Sequence, residues 1–511
     1  MSDLSRGRAR QPQSPPHKKH ERLPRRGNRR RGPERPAHAR TAHELDPRRA
    51  AFETLRRLKP GELLEPAAQR TLTHMGHDEG AAHRLLPMLE DATRLALLLD
   101  HLVAHVASRP PAELDADVRA ALHLFLAWLL LGDSKAAYAH GNAAVDLLSA
   151  THKGRGFVNA CVRRLAEFVR VEPWPAEDFA AMAARHEAPP LWANAARLGQ
   201  GKRLCAERAI FPDPIADLPA HLATACALPR WFVDRLLEQH GPQAAVQVAV
   251  AAVERPATWL RLNPLAKGSE HVAGDFRARG LAAEEVAMGE GRAVVQPASS
   301  HIAQHPGFER GLFYVQDFSA QLVAPMLQPR EGEMLLDLCA SPGGKSGHLA
   351  ELTGDRAKVL ACDQTEGKVA RIHENVVRMG YRSVATVTAD AAAVRFPERF
   401  DGVLLDAPCS NSGVLGRRVE ARHRLTAETV AELAKLQKTL LGHAADHLVK
   451  PGGRLVYSVC SLLMEEGVDV VHAFLAGARE DAGWEMEAET LTLPVPGRHD
   501  GGYCCRLRAP K

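Results

Sequence analysis

At 511 residues and 45% apolar composition, the chain exceeds what one hydrophobic core serves and has enough apolar side chains for two or three domains. Its nine cysteines are scattered and no pair has zinc-finger spacing. This excludes a disulfide framework and predicts reduced thiols, a cytoplasmic location and no bound metal. No signal peptide is expected, and the longest apolar run, Ala120 to Leu131, is shorter than the roughly 20 residues that span a bilayer. It predicts a buried helix and no membrane partner.

The first 45 residues form a basic arm. Residues 1–40 contain 13 Lys/Arg and three acids, a net charge of +10, although the whole chain carries only +5. The segment is rich in Pro and Gly and nearly free of large apolar side chains, so residues 1–45 are predicted to be disordered. Such an arm favours RNA through counterion release. A solubilising tail without a specific partner is the alternative.

Residues 46–187 have helical periodicity throughout, which predicts an all-α bundle. Near its end, the glycine turn at Gly154 and Gly156 leads into a helix with a basic face. Lys153, Arg155, Arg163 and Arg164 on this face are as consistent with an ordinary solvated surface as with RNA binding.

Prolines accumulate over residues 188–227, and the pattern weakens, so we interpret this segment as a linker. A helix followed by short strand-like runs at Thr258–Pro264 and Arg292–Val295 predicts a small α+β subdomain over residues 228–310. From residue 311 to residue 511 strands and helices alternate, which predicts a parallel sheet with helices on both faces. The predicted strands are Met334–Leu338, Lys358–Asp363, Val384–Thr388, Gly402–Asp406 and Arg454–Ser458.

A glycine-rich turn follows the first of these strands, in Asp337-Leu-Cys-Ala-Ser-Pro-Gly-Gly-Lys345. Glycines let the backbone approach a ligand, and the next helix points its N-terminal amides at the same place. The turn lacks both the Gly-x-Gly-x-x-Gly loop and the first glycine of a phosphate loop. S-adenosylmethionine (SAM), which has a ribose but no phosphate, fits better. A strand-to-helix turn with no ligand is the alternative.

Three acids lie at or just beyond successive strand ends. Asp363, about 20 residues after the turn, occupies the place where an acid binds ribose hydroxyls in doubly wound folds. Asp390 and Asp406 follow the next two strands, and because ligands collect at the carboxyl ends of parallel strands, the three are candidate ligand contacts. A helix cap is the alternative for any one of them.

Two cysteines, Cys409 and Cys460, also follow strands. Carbon 5 of cytosine is a poor nucleophile, but a thiolate that adds to carbon 6 makes carbon 5 electron-rich enough to accept a methyl group. A base then removes the carbon 5 proton, and elimination frees the enzyme. An isolated buried cysteine is usually only a small apolar residue, but two at strand ends near a cofactor turn favour this covalent chemistry.

The region 228–509 resembles the RNA cytosine-5 methyltransferases. The resemblance rests on the turn motif, Asp363, Asp390 and four further segments: Asp406-Ala-Pro-Cys-Ser410, Tyr457-Ser-Val-Cys-Ser461 with Glu465-Glu466, Gln316–Gln321, and His499–Tyr503. The helical region, with AHGNAAVDLL and KGRGFVNACVRRL, resembles the NusB-type RNA-binding domain. Their fusion is typical of bacterial 16S rRNA methyltransferases of the RsmB/Fmu type. The implied fold is multidomain: an all-α NusB-like bundle, a small α+β RNA-binding subdomain and an α/β Rossmann-like SAM-dependent methyltransferase domain.

The resemblance implies residue roles. Cys460 is the expected nucleophile, Cys409 assists product release, and Asp406 lies near the cytosine edge and in the cofactor site. SAM is expected to contact Cys339, Ala340, Ser341, Pro342, Gly343, Gly344, Lys345, Asp363 and Asp390. Two positions depart from the family pattern: Asn411-Ser412-Gly413 replaces Gly-Thr-Gly, and Val459 replaces Thr.

The resulting prediction is a monomeric SAM-dependent enzyme that methylates carbon 5 of cytosine in 16S rRNA. A tRNA cytosine-5 methyltransferase is the alternative within the class. A non-catalytic RNA-binding or antitermination factor is the alternative outside it, although it leaves the two cysteines and the cofactor turn unexplained.

Overall fold

The structure is a computed structural model that describes residues 45–174, 181–182, 185, 191–289, 291–297, 302–477 and 483–511. The predicted basic arm lies outside the described residues except for its last residue. The junction at residues 187–188 between the predicted bundle and linker also lies outside them.

The N-terminal part is helical, as predicted. Its central helix, Ala116–Leu131, is buried on nearly every side, which confirms the buried helix expected from the apolar run. His123 on this helix is paired with Asp100 (Nε2 to Oδ1, 2.8 Å), so the buried ring has a polar partner. The α-helices described here are Pro47–Leu55, Leu64–His74, Leu86–Arg94, Ala96–Val106, Ala116–Leu131, Ala137–Leu147 and Arg155–Phe168.

A three-stranded antiparallel sheet follows, and it corrects two predictions. Its strands are Val169–Pro173 (β1), Ala195–Gly199 (β2) and Lys202–Ala206 (β3), in the order β1-β3-β2. Strand β1 interrupts the segment predicted to be all-α, and the predicted linker 188–227 contains β2, β3 and the helix Leu218–Ala225. The β2–β3 hairpin turns through Gly199, Gln200 and Gly201, which all have positive φ. Pro212, Pro214 and Pro219 all follow the hairpin, so these prolines do not indicate an unstructured linker.

The small α+β subdomain is confirmed. Its strands are Thr258–Leu262 (β4), Glu284–Met288 (β5), Gly291–Gln296 (β6) and Phe313–Val315 (β7), in the antiparallel order β5-β6-β4-β7. The helix Val272–Ala278 packs Phe276 against Leu260 and Val294. A long helix, Arg230–Val253, begins the subdomain and breaks at Gly241, where φ is 76° and Pro242 follows.

The C-terminal domain contains a seven-stranded sheet. All five predicted strands are confirmed: Met334–Leu338 (β8), Lys358–Asp363 (β9), Val384–Thr388 (β10), Phe400–Asp406 (β11) and Val449–Val459 (β12) are parallel. Two further strands, Glu485–Thr492 (β13) and Gly502–Arg508 (β14), complete the order β10-β9-β8-β11-β12-β14-β13. Strand β14 is antiparallel to both neighbours, so the sheet is mixed rather than purely parallel.

Helices cover this sheet and lead into it. Those between the strands are Gly344–Leu352, Glu366–Met379, Ala427–His447 and Val468–Ala476, and the short ones before β8 are Pro306–Glu309, Phe318–Gln321 and Val323–Met326. The strand order reverses between β8 and β11, and in such sheets the crevice at this point binds ligands. No helix in the described part of the chain is both long and apolar enough to cross a bilayer.

Two buried arginines join the helical part to the C-terminal domain. Arg422, which is 0% exposed, donates hydrogen bonds to the carbonyl oxygens of Arg94, Ala227, Ala252, Leu415 and Val419. Arg94 in turn donates to the carbonyl oxygens of Gly416 and Glu254. Burial, and then the neighbouring Arg94, lowers the pKa of Arg422 to about 9. The carbonyl cage therefore stabilises a cation that has lost its water.

Candidate active site

The glycine-rich turn has the geometry that its sequence predicts. Gly343 has φ of 98°, a conformation that favours glycine, and it precedes the helix Gly344–Leu352. At Gly344 a Cβ atom would lie 2.7 Å from Cε1 of Tyr314, so a side chain there would displace the ring. The amide of Ala340 donates to the Cys362 carbonyl (2.9 Å), which fastens the turn to β9. The turn is therefore held close to both β8 and β9.

Asp363 and Asp390 differ in their surroundings. Asp363 is buried and accepts hydrogen bonds from the Ser341 amide (3.0 Å) and the Gln364 amide (2.7 Å). It thereby connects the end of β9 to the glycine-rich turn. Asp390 is exposed and accepts from the Ala392 amide (3.0 Å), which caps a turn after β10. Contact of either acid with SAM remains a prediction.

A cavity of about 380 Å³ lies at the carboxyl ends of β8 and β11. This volume falls within the range of roughly 300–1,000 Å³ that is usual for small-molecule sites. Most of the predicted site residues line it, whereas Gly343, Asp363, Asp390 and Cys409 do not. The predicted residues at its wall are Cys339, Ala340, Ser341, Pro342, Gly344, Lys345, Asp406 and Cys460.

Lys345 and Asp406 form an ion pair at the centre of this wall. The Lys345 ammonium lies 2.6 Å from Asp406 Oδ2, and the Ser458 hydroxyl donates to Oδ1 at 2.6 Å. Burial by itself would lower the pKa of Lys345, but the Asp406 carboxylate and the Cys460 sulfur raise it above its ordinary value. Lys345 is therefore a fixed positive charge beside both Asp406 and Cys460.

The two cysteines occupy neighbouring loops with different access. Cys460 follows β12 and lines the cavity, whereas Cys409 follows the adjacent β11 and lies off the cavity wall. Burial, and then Asp406, raises the pKa of Cys460 to about 12, although Lys345 opposes both effects. Burial, and then Cys460 and Glu466, raises the pKa of Cys409 well above its usual value. Both are therefore thiols, not thiolates, in the protein without substrate.

Glu466 holds the two cysteine loops together. It is 0% exposed and accepts hydrogen bonds from the Ser410 amide (2.8 Å), the Ser410 hydroxyl, the Ser461 hydroxyl and Gln437 Nε2 (3.2 Å). Ser410 follows Cys409, and Ser461 follows Cys460. One buried carboxylate therefore bridges both sulfur-bearing loops. The sequence contained Glu466 within a motif, but its position in the motif did not reveal this contact.

Two family models match the chain: 16S rRNA methyltransferase RsmB/F over residues 324–494, and the ferredoxin-like domain of RsmF/B-like methyltransferases over residues 228–297. Both models describe RsmB/F-type methyltransferases, so these two segments are similar to that family. The matches cover the cavity wall from the glycine-rich turn to Cys460, and they cover the small α+β subdomain.

Curated relatives show the same similarity. The chain is 35% identical over 290 residues to ribosomal RNA small subunit methyltransferase B of Klebsiella pneumoniae (strain 342), covering 55% of this chain and 65% of that protein. It is 35% identical over 266 residues to the probable ribosomal RNA small subunit methyltransferase B of Bacillus subtilis (strain 168), covering 52% and 59%. The chain thus spans less than two thirds of these relatives.

Among solved structures, the crystal structure of PH0851 has a similar fold, with a TM-score of 0.65 and 24% identity. The similarity covers 92% of this chain and all of that one. It supports the architecture described above.

Asp337 also lines the cavity, although no role was predicted for it from the sequence. It begins the turn motif and is fully buried at the end of β8; Ser346 donates to its Oδ2 at 2.5 Å, whereas Oδ1 has no partner in the structure. Burial raises the pKa of Asp337 from 3.8 to about 7. Its position at the start of the turn motif could have indicated a role, because a buried carboxylate directly before a ligand-binding turn rarely has only a packing role.

This carboxyl predicts a pH dependence of stability. The unfolded group ionises near 3.8 and the folded group near 7, so the folded state holds the extra proton between these values. Stability therefore falls as the pH rises through this interval. The Asp337→Asn variant lacks this titrating group, so its free energy of unfolding does not fall in the same way. Relative to the unchanged protein, we expect the variant to become more stable by roughly 4 kcal/mol as the pH rises through the whole interval. Urea unfolding without SAM at pH 5 and pH 8 covers only the upper part of this interval, so a shift of about 2.6 kcal/mol is expected between these two values. An equal difference at both values would contradict the assignment.

Proposed function

We propose that the protein is a SAM-dependent RNA methyltransferase that forms 5-methylcytosine in 16S rRNA through a covalent Cys460 adduct. The observation that carries the proposal is the shared cavity, in which Cys460 and the Lys345–Asp406 pair lie on one wall with the glycine-rich turn. The matches of residues 228–297 and 324–494 to models of RsmB/F-type methyltransferases support the substrate class.

The cavity residues fit SAM. The turn from Cys339 to Gly344 brings backbone close to the cavity, and the buried Oδ1 of Asp337 has no protein partner, so it can accept from the amino group of a ligand. SAM, when bound, supplies an electrophilic methyl group. We place SAM against Cys339, Ala340, Ser341, Pro342, Gly343, Gly344 and Lys345, with Asp363 and Asp390 toward the ribose side.

The chemistry proposed for the protein residues starts with a neutral thiol. As the Cys460 sulfur bonds to carbon 6 of cytosine, its proton leaves and N3 of the ring gains a proton, so the charge on the ring stays balanced. Asp406, held by Lys345 and Ser458, is adjacent to Cys460 and suited to relay that proton. Carbon 5 then accepts the methyl group. Solvent water, acting as the base, takes the carbon 5 proton. The sulfur then leaves carbon 6 with the electrons of that bond, assisted by Cys409, and the N3 proton returns to the sulfur to restore the neutral thiol. The target base must leave its stack to reach Cys460.

The helical part is proposed as a NusB-like RNA-binding domain. Lys153, Arg163 and Arg164 are exposed near or on the helix Arg155–Phe168, and exposed cations of this kind contact phosphates. Arg155 has a different role. It donates to the carbonyl oxygens of Val145 (2.7 Å) and Leu148 (2.9 Å), so it caps the preceding helix. We further propose that the enzyme is monomeric and cytoplasmic and needs no metal.

Transfer of a tritiated methyl group from SAM to RNA tests the activity. We expect incorporation into 16S rRNA, as the naked transcript or the partly assembled small subunit, and bisulfite sequencing then locates the modified cytosine. Incorporation into tRNA instead would favour the tRNA methyltransferase alternative. No incorporation into either RNA by folded protein would favour a non-catalytic RNA-binding factor.

A separate prediction concerns the basic arm. Deletion of residues 1–40 removes a net charge of +10, so RNA affinity is expected to fall and to depend less on salt. Each phosphate contact that is lost lowers the slope of log affinity against log salt by about 0.9. Binding titrations from 50 to 200 mM salt measure this slope. If the slope and the affinity are unchanged, the arm is a solubilising tail.

A further inference from the structure

An ionic cluster outside the predicted site forms another part of the cavity wall. Arg417 Nε donates to Asp500 Oδ2 (2.8 Å), and Arg417 Nη2 donates to Asp317 Oδ2 (3.2 Å). The Asp500 amide donates to Asp317 Oδ1 (3.1 Å). Asp317 caps a short helix after β7, Arg417 lies in the loop after Cys409, and Asp500 precedes β14. Three distant segments therefore meet at one arginine, and all three residues line the cavity.

This cluster is attached to the nucleophile rather than to the glycine-rich turn. The Gly413 amide donates to the Cys460 carbonyl (3.0 Å), and the Gly501 amide donates to the Gly413 carbonyl (2.8 Å). Gly501 directly follows Asp500. Two backbone hydrogen bonds thus connect Asp500 to the residue that carries the proposed reacting sulfur. A base bonded to Cys460 lies beside the cluster.

Among the described residues, the two carboxylates of the cluster differ in how many donors they meet. Asp317 Oδ1 accepts from the Ser319 amide, the Ser319 hydroxyl and the Asp500 amide, and its Oδ2 accepts from Arg417. Asp500 is 3% exposed, and no described residue donates to its Oδ1. Because Asp500 lines the cavity, this oxygen can accept a hydrogen bond from a ligand there.

The charge of Asp500 determines which donor that is. Burial, and then Asp317, raises the pKa of Asp500 to about 6, while Arg417 opposes both. Above this pH the group is ionised and can only accept hydrogen bonds. Cytosine carries an amino group at carbon 4, which donates, whereas uracil carries an oxygen there, which only accepts and would be repelled.

We propose that Asp500, oriented by Arg417 and Asp317, accepts a hydrogen bond from the carbon 4 amino group of the target base and so selects cytosine over uracil. The inference rests on the proposed function, because it places the base on Cys460. It assigns to the His499–Tyr503 motif a role in base selection.

The test uses 16S rRNA transcripts that contain 5-fluorocytosine in place of cytosine or 5-fluorouracil in place of uracil. Fluorine at carbon 5 cannot leave as a proton, so after sulfur addition and methyl transfer from SAM the adduct persists and is retarded on a denaturing gel. The unchanged protein is expected to trap fluorocytosine RNA and to leave fluorouracil RNA free. No adduct with fluorocytosine RNA would overturn the proposed function itself.

Asp500→Asn is the decisive variant, because an amide can donate to the oxygen of uracil. We expect the ratio of fluorocytosine to fluorouracil adduct to fall about 10- to 100-fold. Asp469→Asn, on the exposed face of the helix Val468–Ala476, is the matched control and should keep the ratio of the unchanged protein. A ratio within twofold of the control would overturn the inference.

SAM binding, measured by equilibrium dialysis, separates base selection from collapse of the cavity. Asp500→Asn is expected to bind SAM with an affinity within about twofold of the control. If the variant loses both SAM binding and adduct formation, the inference is overturned, because Asp500 would then only stabilise the cavity wall. If the Asn variant does not fold, Asp500→Glu keeps the charge for Arg417 but displaces the free oxygen by one methylene. It should slow trapping of fluorocytosine RNA at least tenfold, and an unchanged rate would overturn the inference.

Discussion

Cys460→Ala is expected to abolish methyl transfer to RNA and formation of the covalent adduct. The alanine retains no atom that can add to carbon 6, and loss of the nucleophile in a concerted site costs roughly 10⁴-fold or more in rate. Tritiated methyl transfer measures the loss, and a denaturing gel shows the missing adduct. SAM binding should persist, because the glycine-rich turn is untouched.

Cys409→Ala is expected to give the opposite phenotype. Cys460 still adds to the base, but release is impaired, so an RNA adduct accumulates as a retarded band. The position of Cys409 off the cavity wall is consistent with a role after the first bond forms. Cys161→Ala, a buried cysteine of the helical part, is the control and should methylate RNA normally without a retarded band. Exchanged phenotypes for Cys460→Ala and Cys409→Ala would reverse the two roles.

Glu466→Ala is expected to destabilise the protein and to slow methylation. The alanine leaves two hydroxyls, an amide and Gln437 Nε2 without their buried acceptor, which costs roughly 3–5 kcal/mol in free energy of unfolding. The loops that carry Cys409 and Cys460 then lose their common support. A displacement of about 1 Å at a reacting group costs on the order of 10²-fold in rate. Urea unfolding and methyl transfer measure the two effects.

The neighbouring glutamate provides a matched control. Glu465 is 26% exposed and pairs with Arg235 and Gln239 at the surface of the long helix Arg230–Val253. Its replacement by alanine is expected to cost about 1 kcal/mol or less, because solvent can replace its partners. If both variants unfold at the same urea concentration, Glu466 does not hold the loops in the way described here.

Sequence patterns predicted those features that depend on residues close together in the chain. The central strands β8 and β11 are mostly apolar, and the turn at Gly343 needs a positive φ that glycine supplies, so both are visible in the sequence. The strands β2 and β3 were missed because their short runs contain arginines and lie between prolines. The contacts of Arg155 could not be predicted either, because the sequence of its own helix does not indicate that the side chain caps the preceding helix.

The unpredicted part of the site consists of contacts between segments far apart in the chain. Glu466 reaches Ser410 across 56 residues, and Arg417 reaches Asp500 across 83 residues. The residue types were visible, but hydrogen bonds of this span depend on the order of strands in the sheet. That order, with β14 inserted beside β12, becomes apparent only in the folded chain.

The carbonyl cage around Arg422 bears on how a large substrate is accommodated. Its guanidinium is bonded at once to the helical part, at Arg94, and to the loop beyond Cys409, at Leu415. A hinge motion that separated these two parts would leave the buried Arg422 guanidinium without several of its hydrogen bonds, and the free-energy cost of such a buried, unpaired charge is high. The helical part and the loop beyond Cys409 are therefore held in one arrangement, and under the proposed function this preformed surface is the one that would meet RNA.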